Sequence, residues 1–273
     1  NNEIGSIQPI AEMVKRVRAF EKSTAGNGTI LFHCDASQAG GKMPVDTQKL
    51  GVDYMTMAGH KIYATKGVGI LYIRNGSLEP KQIIHGANQE KGRRAGTENV
   101  ILCVGMGKAA ELIHTNLQDD MKRMHQLKQH LKMLLVKKSP VHVRVNSTMN
   151  SNYETDEDDT ASYLSNTLSI SFEGILSSSL LAIMNDSLCT SAGAACHSTD
   201  GISISDVLKA IECPPSFAIG TLRLSVGRYT TMDDVEKAAE VILSGIQQLL
   251  DNPTDIQKCA WNMYHIDPSS CLV

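Results

Sequence analysis

Short apolar runs, each closed by a polar turn, constrain this chain most. Thr29 to Cys34 reads TILFHC and ends at Asp35. Val52 to Met57 reads VDYMTM and runs into Ala58-Gly59-His60-Lys61. Gly69 to Ile73 reads GILYI and follows a glycine-punctuated turn. Before them, Ile10, Met13, Val14, Val17 and Phe20 recur at helical spacing. Such strand-length runs with short connections predict an α/β fold around a mainly parallel sheet, buried on both faces.

The pattern then changes. Asn99 to Val136 predicts one long helix, able to link two domains. Val141–Val145 reads as a strand, and Asn146–Asp159 as a polar, acidic surface loop. LSNTLSISF and TLRLSVG read as strands, and SSSLLAIMND as a helix. Ser203–Cys213 predicts a helix stopped by Pro214-Pro215, and Asp233–Leu250 an amphipathic one. From Asn252 onward no pattern emerges.

Composition excludes several classes of function. Aromatic residues make up 4% of the 273, too few for a stacking surface that takes single-stranded nucleic acid. The formal net charge is -3, without a basic block, which also argues against nucleic acid. No apolar run reaches the ~18 residues of a membrane span. Seven cysteines without a repeated C-x-x-C spacing suggest reduced thiols rather than a disulfide framework or a zinc site, hence a cytoplasmic protein. The opening NNEIGSIQPI, without Met or a signal-peptide pattern, reads as cut from a longer chain.

Open α/β sheets bind ligands just beyond the carboxyl ends of their strands. Asp35 and Lys61 both lie at such ends. A carboxylate and an amine in one crevice suit pyridoxal 5'-phosphate (PLP): the lysine forms a Schiff base and the aspartate keeps the pyridine nitrogen protonated. Asp35 also suits capping of the turn that follows it, and Thr97 an N-cap before NVILCVGMG.

HCDASQAGGKMPVD and AGHKIYATKGVGILYIR carry a resemblance, together with NNEIGSIQPI, GRRAGTEN, LSNTLSISF, SAGAACHS and LRLSVGRYTT. In this order they resemble the class V aminotransferase superfamily, in its cysteine desulfurase and selenocysteine lyase branch. The likeness runs from residue 1 to about 250. It implies the type I fold of PLP-dependent aminotransferases. Residues 1–112 would be the C-terminal part of a large cofactor-binding domain, 113–251 a smaller α/β domain, and 252–273 a tail. It further implies that Lys61 bonds the cofactor and Asp35 faces its ring nitrogen. Gln38 and Asn2 would lie near its phenolic oxygen, and His60 at its phosphate. Thr97 would reach the phosphate of a partner subunit, making a homodimer. Arg223 would clamp the substrate carboxylate beside Asn2, and Cys196, with His197 next to it, would take sulfur or selenium. The product would be alanine, and the chalcogen would pass to an acceptor protein. Buried, inert thiols are expected at Cys103, Cys189 and Cys213.

Two departures bear on function. The phosphate loop and ring-stacking histidine expected upstream of NNEIG do not occur in this chain, so an incomplete fragment or partner subunit is the rival reading. Ala58 stands where many desulfurases have a serine, which with GAACHS tilts the expectation toward selenocysteine lyase.

Overall fold

The computed structural model describes residues 1–23, 29–147, 162–192 and 204–273. They form two compact units: Gln8–Asp119, and Asp120–Val273 joined by Asn1–Ile7.

The Gln8–Asp119 unit opens with helix α1 (Ile10–Ser23) and strand β1 (His33–Asp35). Helix α2 (Thr47–Leu50), strand β2 (Tyr54–Ala58), a 3-10 turn (Gly59–Ile62) and strand β3 (Gly69–Ile73) follow. A short turn, α3 (Gln89–Gly92), precedes the long helix α4 (Val100–Lys138). β1 and β2 are parallel, with His33 opposite Tyr54, Cys34 opposite Met55 and Asp35 opposite Thr56. β3 folds back antiparallel on β2, so the sheet is mixed rather than parallel. The connection explains why: a parallel return needs about a dozen residues or more, usually a helix, and residues 59–68 hold only a tight turn.

Val14 of α1 packs with Ala36, Val52 and Met55 in the core of this unit. Asp53 anchors the sheet. Its carboxylate accepts the Phe32 N–H at 2.7 Å and the Ser77 hydroxyl at 3.1 Å, and pairs with Arg18. Burial pushes that carboxyl up, but the bonds from Phe32, Arg18 and Ser77 outweigh it and hold it below its usual range. The sheet is not covered on both faces among the described residues: Ile70 and Leu71 of β3 are 40% and 51% exposed. The layer supplied by α1 and the turn after β1 covers one face.

In the other unit, β4 (Val143–Val145), β5 (Thr167–Phe172), β6 (Ser191–Ala192) and β7 (Thr221–Ser225) form an antiparallel sheet in the order β4-β5-β7-β6. Helices α5 (Ser177–Met184), α6 (Asp206–Ala210), α7 (Pro215–Ala218), α8 (Met232–Asp251) and α9 (Asp255–Met263) complete it, with a closing 3-10 turn at Pro268–Cys271. Met124, Leu127, Leu131 and Leu135 of α4 lie three or four residues apart, and so share one helix face. They share a core with Val235, Ala239, Ile242, Ile246 and Leu249 of α8. Thr231 and Asp234 form a reciprocal capping box at the start of α8.

β5 is buried throughout and splits its residues by strand alternation. Leu168, Ile170 and Phe172 enter the apolar core. On the alternate positions, Ser171 shares a hydrogen bond with Thr221 at 2.7 Å and accepts one from Asn146 at 2.8 Å. The Ser169 N–H donates to the Ser147 hydroxyl at 2.6 Å. These partners make a buried polar strand face tolerable.

Residues 252–273, patternless in sequence, form α9 and pack firmly. Gln257 is fully buried: its Oε1 accepts the Leu176 N–H at 2.7 Å, and its Nε2 donates to the Gly174 carbonyl at 2.6 Å. Trp261 Nε1 donates to the same carbonyl at 2.5 Å. The last residues pair with the lead-in to β4, His142 N–H to Cys271 O at 2.9 Å and Val273 N–H to Pro140 O at 3.1 Å. Gly220, just before β7, has no room for a side chain: a Cβ there would meet the Phe172 carbonyl oxygen at 2.0 Å and that of Ile175 at 2.6 Å.

Two outcomes follow. Gly220→Ala loses about 3 kcal/mol or more of unfolding free energy in urea, because backbone must move. Gln257→Leu loses about 1–3 kcal/mol by orphaning the Leu176 N–H. A midpoint unchanged from the parent protein in either variant contradicts this packing.

Candidate active site

The parallel pairing of β1 and β2 brings their carboxyl ends to one edge of the sheet. Asp35 closes β1, and the next N–H, from Ala36, still bonds Thr56 O at 2.9 Å. Asp35 Oδ1 accepts the Ser37 N–H at 2.8 Å, so the turn-capping reading of this residue holds. The Ser37 side chain and backbone together hold the Asp35 carboxyl below its usual range, as a carboxylate at neutral pH. Residues 36–43 then turn through tight backbone bonds, with Gln38 half-buried among them.

Beyond the end of β2, the Gly59–Ile62 turn carries His60 and Lys61. Gly59 is required there: its N–H bonds Val68 O at 2.9 Å, and a Cβ would lie 2.8 Å from that oxygen. The turn closes on Tyr63 in the left-handed region, φ 67°, whose N–H returns to Gly59 O. A non-glycine residue pays roughly 1 kcal/mol for this conformation. From below, buried Lys42 donates to the Lys61 carbonyl at 2.7 Å.

The side chains of Lys61, Gln38 and His60 have no hydrogen-bond or ion-pair partner among the described residues. An ionised carboxylate and an uncommitted amine at one sheet edge fit PLP, whose ring nitrogen needs the first and whose aldehyde needs the second. Thr97 sits on the loop between α3 and α4, exposed, in a segment braced by the Arg93–Glu79 ion pair at 2.7 Å. It does not cap α4. Asn99 does, its Oδ1 accepting the Leu102 N–H at 3.1 Å.

The other unit brings together Asn2 and Arg223. Arg223, in mid-strand on β7, donates from Nη1 to the Asn2 carbonyl at 2.8 Å. Its Nε is buried without a hydrogen-bond partner among the described residues. Arg228, by contrast, is committed to Asp120 at 2.8 and 2.9 Å. Asn1–Ile7 is pinned to this unit by Leu164 N–H to Gly5 O at 2.8 Å, Ile7 N–H to Ser162 O at 2.7 Å and Ser205 to Glu3 at 2.6 Å. Cys196, His197 and most of SAGAACHS lie outside the described residues, as does the bulk of the acidic loop. Cys213 is buried as expected, but Cys103 and Cys189 are exposed. Cys103 falls on the outward side of α4, a placement that its apolar neighbours hid. Sequence reasoning passed over Lys42 as a site residue; the signal was a lysine directly after Gly40-Gly41.

A lysine turn and an aspartate at the carboxyl edge of an α/β sheet are compatible with a PLP-dependent protein of fold type I, and the comparisons supply the class. The chain matches the model of the aminotransferase class-V family over residues 1–238, and it belongs to that family. It is 37% identical over 251 residues to the cysteine desulfurase IscS of Methanosarcina thermophila, covering 91% of this chain and 56% of that protein. To the cysteine desulfurase NifS of Azotobacter vinelandii it is 33% identical, covering 91% and 57%. Among solved structures, a NifS-like protein superposes with a TM-score of 0.75 at 31% identity, over 90% of this chain and 59% of that one. The chain thus spans little more than half the length of the relatives it matches. Members of the family are PLP-dependent.

Burial, with the neighbouring Lys61 charge, pulls the Lys42 ammonium from 10.5 down to about 8. Between those values the unfolded chain holds more protons, so stability rises with pH. Below pH 8 the cost of burying the charge is fully present. Above about 10.5 it is gone. The unfolding free energy of the parent protein relative to Lys42→Met is therefore expected to climb by up to about 3 kcal/mol from pH 8 to 10.5. A flat difference across that range contradicts the burial.

Proposed function

We propose that the polypeptide to which these residues belong is a PLP-dependent enzyme that removes sulfur from cysteine and releases alanine. The carrying observation is the placement of Lys61 and Asp35 at one carboxyl edge in a chain of the aminotransferase class-V family. When bound, the cofactor supplies the electron sink that makes the substrate's α-proton removable. Lys61 Nζ would hold the cofactor and, once released, would carry that proton. Asp35, held ionised by Ser37, would pair with the ring nitrogen. Gln38 and His60 line the same edge toward the phenolic oxygen and the phosphate. The Nε of Arg223, without a partner among the described residues, suits a bidentate grip on the substrate carboxylate next to Asn2.

The sulfur step balances with one thiol. The Cys196 thiolate attacks the substrate sulfur, a sulfur–sulfur bond forms, and the Cβ–S bond breaks. The electron pair stays with carbon, which takes a proton and completes alanine. The persulfide on Cys196 then passes to an acceptor protein. Thr97, on its exposed loop, is assigned to the phosphate site of a second copy, which makes the working unit a homodimer. Six cysteines among the described residues are free, which supports a reducing, cytoplasmic setting.

Selenocysteine is the alternative substrate. The observation that favours it is Ala58, which opens the Lys61 turn without a side-chain capping bond and offers the site no hydroxyl.

Borohydride reduction of the PLP-loaded protein, followed by peptide mapping, is expected to find the cofactor on Lys61. Finding it on Lys42 or Lys66 overturns the assignment. Alanine release from cysteine and from selenocysteine, compared as kcat/KM, is expected for both. Cys196→Ser abolishes turnover, and Asp35→Asn lowers it at least about tenfold, the worth of one pKa unit of ring protonation.

A further inference from the structure

The turn after β1 and the turn after β2 carry the residues assigned to the cofactor, and one side chain joins them. Lys42 is only 9% exposed. Its Nζ donates to the Lys61 carbonyl at 2.7 Å and to the Gly40 carbonyl at 3.2 Å. Lysine is almost never buried this far, because an ammonium loses its hydration unless protein groups replace it. The two turns also meet without slack. A Cβ at Gly40 would lie 2.4 Å from Met57 Cε and 3.0 Å from Ile62 Cγ2. Gly41, at φ +71°, leaves 3.2 Å between such an atom and Ile113 Cδ1. Gly40 thus lets the two turns approach, Gly41 lets the first of them pass under α4, and one buried cation joins the two turns.

We propose that Lys42 is a positioning residue for the cofactor: its ammonium ties the Lys61 turn to the turn after Asp35, and so fixes the cofactor-bonding amine relative to the carboxylate that faces the ring. Lys42 acts through the backbone of Lys61. The proposal rests on the reading of Lys61 as the cofactor lysine. A merely space-filling role for Lys42 predicts only lost stability; a positioning role predicts a changed orientation of the bound ring.

The test loads the full-length polypeptide with PLP and compares the parent protein with Lys42→Met, Lys42→Gln and Val52→Ala. Val52 is fully buried in the core with Val14 and is not assigned to the site, so its truncation controls for general destabilisation. Borohydride mapping reports where the cofactor sits, visible circular dichroism how firmly its ring is oriented, and titration with PLP its dissociation constant. Lys42→Met is expected to lose at least half of the visible signal and to weaken PLP binding about tenfold or more. Lys42→Gln, which keeps N–H donors, recovers part of both. Val52→Ala melts lower but keeps the parent signal. Should Lys42→Met fail to fold by far-ultraviolet circular dichroism, Lys42→Gln alone must still fall below the parent protein and below Val52→Ala. A Lys42 variant with parent-like signal and affinity, or a loss matched by Val52→Ala, overturns the proposal. A parent protein without cofactor on Lys61 overturns the underlying reading and the proposal together, and is told apart by the mapping.

Discussion

The placement of Asp35 and of the Lys61 turn depends on three cross-strand pairs. Because His33, Cys34 and Asp35 lie beside Tyr54, Met55 and Thr56 in parallel, both strands deliver their last residues to one edge. An antiparallel pairing would send Asp35 and the Lys61 turn to opposite ends of the sheet. Register matters as much as direction, since a slip of one residue turns every side chain to the other face. Asp53 guards it: Phe32 donates to its carboxylate while its own N–H returns to Phe32 O at 2.9 Å. A buried carboxylate held from several sides has a single comfortable position, and the strand start inherits that position.

The residues that announce themselves in sequence are those whose role is local. The strand at Gly69–Ile73 and the helices at Ile10 and Asp233 follow from periodicity, and each forms within a few residues of its expected bounds. The positions of Asp35 and Lys61 near strand ends are legible in the same way, while the roles expected of them come from the motifs around them. What escaped reading depends on distant partners. Gln257 reads as an ordinary polar residue until Leu176 and Gly174 meet it. The attachment of Asn1–Ile7 to the Asp120–Val273 unit rests on bonds to Ser162, Leu164 and Ser205, far along the chain. The mixed direction of the first sheet was readable in principle, since residues 59–68 are too few for a crossover.

The second unit shows how one strand serves two environments. β5 sends Leu168, Ile170 and Phe172 into the core, while Ser169 and Ser171 face hydroxyl and amide partners. Arg223 pairs with Ser169 and Ser191 across the strands on either side. Its backbone is thus fixed from both sides, and its guanidinium is tied to the Asn2 carbonyl.

The closing residues of the chain have a further consequence. Val141 bridges Leu272, and 271–273 bond the backbone of 140 and 142, just before the edge strand β4. An edge strand with free N–H and C=O groups is a template for any other extended chain. The segment that looked structureless in sequence therefore fills the approach to this edge, and shortens the run of backbone on which a strand from a neighbouring molecule could start.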